Sequence, residues 1–253
     1  MRPLIIAVIS LALMFGAAVA AVWVRSKLPD DHLNSDAKDV VTRGVGFVVT
    51  LAALVLSLLI ASGKGSHDEI DMRLRELATE FVLVDRSMAS YGPETAEIRD
   101  LLRRTMASAM QTIWPDTTPP GPTLTGETPR AAGERVQGMI RELKPANDSQ
   151  RVLQSEALRE IREIKRSGWM LFELSETRMP TLFLVIIILW LVVVFFGFGI
   201  FAPRNRTVDA TLLFCAFCAA GAVFLILELY APVSGLLAIP PRTFGIVLEQ
   251  LGR

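Results

Sequence analysis

The sequence predicts an all-α, polytopic membrane protein with four transmembrane helices and a helical soluble domain inserted between the second and third. Three observations predict this. The chain is 51% hydrophobic yet 21% charged, with mean hydropathy +0.43, so apolar and charged residues must be segregated along it rather than mixed within each element. Four apolar runs start at Pro3, Gly44, Pro180 and Val208; each has about twenty residues, the length a helix needs to cross about 30 Å of hydrocarbon. Between the second and third runs apolar residues recur at helical spacing, with no strand alternation.

The first span, about 3–24, has a rival reading as a secretory signal, because a cation precedes it and AVAA lies within it. Its apolar stretch is longer than such signals carry, and it ends in Trp23 and Arg25, residues suited to a membrane interface. It therefore reads as a retained anchor. The second span covers about 44–62, so that 1–62 forms the first membrane segment.

Residues 63–179 read as helices throughout. Ser66 and Glu69 have the spacing of a capping box, which predicts a helix start after GKGS. Ile70, Leu74, Leu77, Phe81, Val84, Met88 and Tyr91 then form a heptad seam. Gly92 and Pro93 close that helix and open the next, whose inner face is Ile98, Leu102, Thr105, Ala109 and Ile113. The Pro-rich stretch 115–129 is a loop, since closely spaced prolines remove amide donors and fix φ. Pro129 opens a short helix carrying Val136, Met139, Ile140 and Leu143; a last one begins near Asn147, with Gln150 three residues on, and runs to an interfacial end at Trp169 and Phe172.

The segment 180–253 holds the third span (about 180–202), the fourth (about 208–229) and a C-terminal tail, LLAIPPRTFGIVLEQLGR, whose amphipathic pattern suits a membrane surface. Four passes put both termini and 63–179 on one side. The cations near the membrane choose weakly between orientations, and a soluble segment without a disulfide pair tips the reading to the cytoplasm.

Charge and motif searches narrow the function. Residues 63–179 carry seventeen Lys or Arg against nineteen Asp or Glu; a nucleic-acid surface would need a basic excess, so no nucleic-acid partner is expected. His32 and His67 fall on opposite sides of the membrane, and Cys215 and Cys218 lie inside an apolar span as small packing residues. No catalytic or nucleotide-binding motif occurs, so the reading is not an enzyme, without cofactor or metal. Small residues at Gly16, Ala17, Ala20 and Ala21, and at Ala216, Cys218, Ala220 and Ala222, offer close helix packing within a chain or between copies.

The block FGFGIFAPRNRTVDATLLFCAFCAAGAVFLILELYAPVSGLL, with GVGFVVTLAALVLSLLIASGK, LVDRSMASYGPE and LLRRTMASAMQTIWP, resembles the bacterial membrane family described as bestrophin-like, from about Leu33 to the C-terminus. The resemblance implies a bacterial inner-membrane protein in a lipid bilayer. Through the bestrophins, which are pentameric anion channels with cytosolic ends, it also implies a homo-oligomer that conducts ions. Tyr230 stands where that pattern has an acidic residue, and Val233 where it has phenylalanine. The alternative is a membrane-anchored helical scaffold or signalling module without conductance.

Three residues stand out as pore-mouth or structural ion-pair candidates: Glu228 at the end of the fourth span, and Arg204 and Arg206 before its start. For Glu228 two readings stay open. One is an ion or proton site. The other is a carboxylate matched by an arginine or by backbone amides, since an unpaired buried charge costs several kcal/mol.

Overall fold

The computed structural model describes residues 2–27, 35–115, 124, 126–176, 181–203 and 205–251. All regular structure among them is helical: α1 (Arg2–Arg25), α2 (Ser35–Tyr91), a short 3-10 turn (Pro93–Thr95), α3 (Ala96–Ile113), α4 (Pro129–Glu142), α5 (Asp148–Glu176), α6 (Thr181–Phe201), α7 (Arg206–Leu229) and α8 (Arg242–Gln250). Four of these, α1, α2, α6 and α7, are long and apolar enough to cross a membrane. The chain divides into two compact units, one of residues 1–67, 178–231 and 235–237, the other of 68–177, 232–234 and 238–253.

In the first unit, α1 packs against α6 and α7 around Met14, Ala18, Ile187, Leu191, Phe195, Ala216, Ala220 and Val223. Without an aqueous driving force between them, helices in lipid associate through close contact at small residues. Gly199 supplies it: a Cβ there would run into the Ala18 carbonyl and the Ala21 side chain. Of the small residues picked out by spacing, Ala21, Ala216 and Ala220 are buried, while Gly16, Ala20 and Cys218 are exposed.

The third span ends and the fourth begins for local reasons. Arg25 Nη1 donates to the Ala202 carbonyl at 2.7 Å, covering one of the unpaired carbonyls at the C-terminus of α6, and Pro203 follows. Asn205 caps α7, its Oδ1 accepting from the Thr207 amide at 3.1 Å, with Asp209 favourably placed in the first turn.

The expected helix start at Ser66 does not occur. The second helix runs unbroken through GKGS, and its Gly63 lies where a Cβ would come within 3.1 Å of Tyr230 Cε2 and 3.2 Å of Leu229 Cβ. That glycine is a contact residue between α2 and the end of α7, and close packing offsets its cost of about 1 kcal/mol in a helix.

In the second unit all seven seam residues, Ile70 to Tyr91, are buried. Thr95 pins the corner after α2, its hydroxyl donating to the Met88 carbonyl at 2.6 Å or the Gly92 carbonyl at 2.8 Å. Ile98, Leu102 and Thr105 are buried on α3, with Ala109 and Ile113 at the margin. Pro129 opens α4 behind a Thr128 cap. Asn147 Oδ1 accepts the Gln150 amide at 2.8 Å, and the Gln150 side chain accepts from Ala146 N, so the predicted start of α5 is a reciprocal cap. Most of the Pro-rich loop, the Phe172 side chain and Pro180 lie outside the described residues.

The C-terminal tail differs from expectation. The apolar face of α8 enters the core of this helical unit: Phe244 is 1% exposed and meets Trp114 edge to face at 5.4 Å. Trp114 Nε1 donates to the Ile239 carbonyl at 2.8 Å. An amphipathic pattern specifies that one face is covered, and the indole donor needs a buried acceptor; here α3 supplies the cover. Replacing Phe244 by alanine should destabilise this unit by about 3–5 kcal/mol, and Trp114 by phenylalanine by about 1 kcal/mol, both measurable by denaturation in detergent. Equal, small effects would place α8 elsewhere.

Candidate functional site at the end of the fourth span

Glu228 is the last but one residue of α7 and is 3% exposed. Its Oε2 accepts two backbone amides, from Leu236 at 2.6 Å and Leu237 at 3.2 Å. The chain reaches this arrangement by a sharp reversal: α7 stops at Tyr230, Pro232 follows, and Gly235 adopts φ +97°. Only glycine fits that position comfortably, because the conformation is left-handed and a Cβ would strike the Glu228 carboxylate. The carboxylate thus works as a side-chain acceptor for a turn that folds back on its own helix end, with charge-assisted bonds about twice as strong as neutral ones.

The surrounding residues come from α2. Tyr230 Oη lies 3.4 Å from Ser62 Oγ, its ring rests on Gly63, and His67 Nε2 lies 2.9 Å from the Leu237 carbonyl. A carbonyl can only accept, so Nε2 carries a proton in this contact. Glu228, Tyr230, Ser62, Gly63, His67 and the turn at 235–237 therefore form one interlocked end of the first unit. The sequence singled out Glu228 as a carboxylate that needs water or a donor; its partners here, amides eight and nine positions later, have no side-chain signature.

Arg206 is not brought to it. Arg206 is exposed at the start of α7, about 33 Å from Glu228 at the rise of a helix. Arg204 lies outside the described residues. Cys215 and Cys218 are exposed free thiols on α7, so within one chain they are not the packing residues expected; their i, i+3 spacing puts both on the outer face. His32 also lies outside the described residues, and among the described residues no group of three or more His, Cys, Asp or Glu is placed to hold a metal.

One carboxylate in the helical unit is electrostatically unusual. Glu80 accepts from Ser167 Oγ at 3.0 Å through one oxygen, while the other is buried without a partner among the described residues. Burial raises its pKa above the ordinary value, the Ser167 bond opposes this, and the fields of Glu163, Glu160 and Glu76 add to the rise. A carboxyl whose folded pKa lies above its unfolded one holds more protons folded than unfolded, so stability falls as pH rises from the ordinary carboxylate range through the raised value. Glu80→Gln should therefore stabilise this unit above that window and leave it unchanged below, read as unfolding midpoint against pH. A difference independent of pH would contradict the assignment.

Comparison with known proteins agrees with the helical architecture. A family model for the Bestrophin-like domain matches residues 12–244. Crystal structures of a bacterial bestrophin homologue from Klebsiella pneumoniae superpose on nearly the whole chain. One, of a point mutant, has a TM-score of 0.68 at 14% identity and covers 96% of this chain and 94% of its own. A second has a TM-score of 0.66 at 15% identity and covers 97% and 96%. No curated protein matches the chain. A domain match over this much of the sequence, carried on four membrane-length helices, is decisive: the chain belongs to the bestrophin-like family of membrane proteins.

Proposed function

We propose that the protein is a homo-oligomeric ion channel of the bacterial inner membrane that passes anions. In this reading 1–62 and 180–229 supply the four spans of each subunit, while the helices of 63–179 and both termini face the cytoplasm. The observation that carries it is the family match over residues 12–244, because bestrophins conduct anions. Packing supports it: the apolar stretch of α2 is 11% buried within one subunit, and Phe47, Leu54 and Leu58 are 63–69% exposed. A helix so little covered by its own chain is available to lipid, to other copies and to an aqueous path between them.

Glu228 is the apparent objection, since a carboxylate at a pore mouth attracts cations. Its hydrogen bonds to two backbone amides remove much of that objection, because the charge is matched by fixed dipoles rather than offered to ions. We assign it a structural role, and keep Arg206 and Arg204 at the opposite end of the fourth span as the pore-mouth candidates, with cations that raise local anion concentration. Purified protein in detergent should have a mass well above the 27.8 kDa of one chain. A monomer at every concentration would remove the pore, whereas an oligomer that passes no ions in liposomes would favour the scaffold reading.

A further inference from the structure

We propose that the end of the first unit opposite Glu228 holds one anionic phospholipid, with its phosphate against Arg25 and an acyl chain in an adjoining groove. Two cavities lie there. A cleft of about 450 Å³ is lined by Val22, Arg25, Ser26 and Pro203. A more apolar groove of about 230 Å³ is lined by residues that include Val45, Gly197, Phe201, Val208 and Leu212. Ala202 links them, since it lines the groove while its carbonyl accepts from Arg25 Nη1, which lines the cleft, at 2.7 Å.

Among the described residues, the charges at this corner have no carboxylate partner. Arg25 is half-buried, yet among the described residues neither it nor Lys27 pairs with a carboxylate. Lys27 Nζ instead sits over the Trp23 ring, 3.6 Å from its centroid. A partly desolvated guanidinium with spare donors matches phosphate oxygens in a bidentate fashion. Trp23 is 60% exposed at the same end of α1, where an indole belongs at headgroup depth. The groove favours a lipid over a free anion, because apolar surface beside the cations gains from an acyl chain and nothing from phosphate alone.

Thermal unfolding of the purified full-length protein in detergent tests the site, with added phosphatidylglycerol or phosphatidylcholine of matched chains. Phosphatidylglycerol should raise the midpoint by about 5 °C more than phosphatidylcholine, as expected for a ligand well above its Kd. Arg25→Gln with Lys27→Gln should abolish that difference, and so should Leu212→Trp, which fills the groove while keeping both cations. If Arg25→Gln fails to fold, Lys27→Gln alone and Leu212→Trp carry the test. Equal shifts with the two lipids, a difference that survives in these variants, or inorganic phosphate reproducing the full shift would each overturn the proposal.

Discussion

Replacing Glu228 by alanine should destabilise the end of the fourth span by about 2–3 kcal/mol, whereas glutamine should cost about 1 kcal/mol or less. Alanine removes the acceptor of the Leu236 and Leu237 amides and opens a gap under the turn. Glutamine keeps an oxygen in place and loses only the charge. Leu236 and Leu237 are exposed, so water can reach part of the turn, which limits the alanine penalty. Gly235→Ala should give a penalty of similar size from the other side of the same contact, through its positive φ and collision with the carboxylate. Combining Gly235→Ala with Glu228→Ala should cost less than the sum, because the second change removes what the first strikes. Strict additivity in unfolding measurements would contradict a shared contact.

The Asp85–Arg99 pair in the helical unit should show a comparable effect. Arg99 Nε donates to Asp85 Oδ1 at 2.8 Å and Nη2 to Oδ2 at 3.1 Å, a bidentate pair joining α2 to α3, with the side chains 18% and 8% exposed. Breaking it by Asp85→Ala should cost about 3 kcal/mol, most of it from leaving a guanidinium partly buried without its partner. Replacing both members by apolar residues of similar volume should restore much of that loss. A double variant as unstable as the two single ones combined would show that the pair does not act as a unit.

The helical seam was legible because its signal is periodic: Ile70 to Tyr91 follow a heptad in the chain and all are buried in the fold. The end of α2 and the caps at Asn147 and Asn205 rest on local chemistry, and the first two were readable from their spacing. Contacts between distant segments were not. The Ser66 and Glu69 spacing read as a helix start after GKGS, whereas the helix runs through it and Gly63 within it admits the approach of Tyr230, a residue 167 positions away. Likewise α8 carries a real apolar face, but sequence cannot tell a lipid surface from α3 as its cover. Glu228 was recognisable as a carboxylate in need of a partner, and backbone amides leave no trace in composition.

The most direct measurement is chloride flux from liposomes holding the purified oligomer, with wild type and Glu228→Gln compared at equal protein density. The account predicts flux above protein-free liposomes, preference for chloride over sodium, and little change in either for the Gln variant, since its turn stays acceptor-capped. Reconstituted, intact oligomer without flux would contradict the channel, and a strong shift of selectivity away from cations in Glu228→Gln would contradict the structural role of that carboxylate.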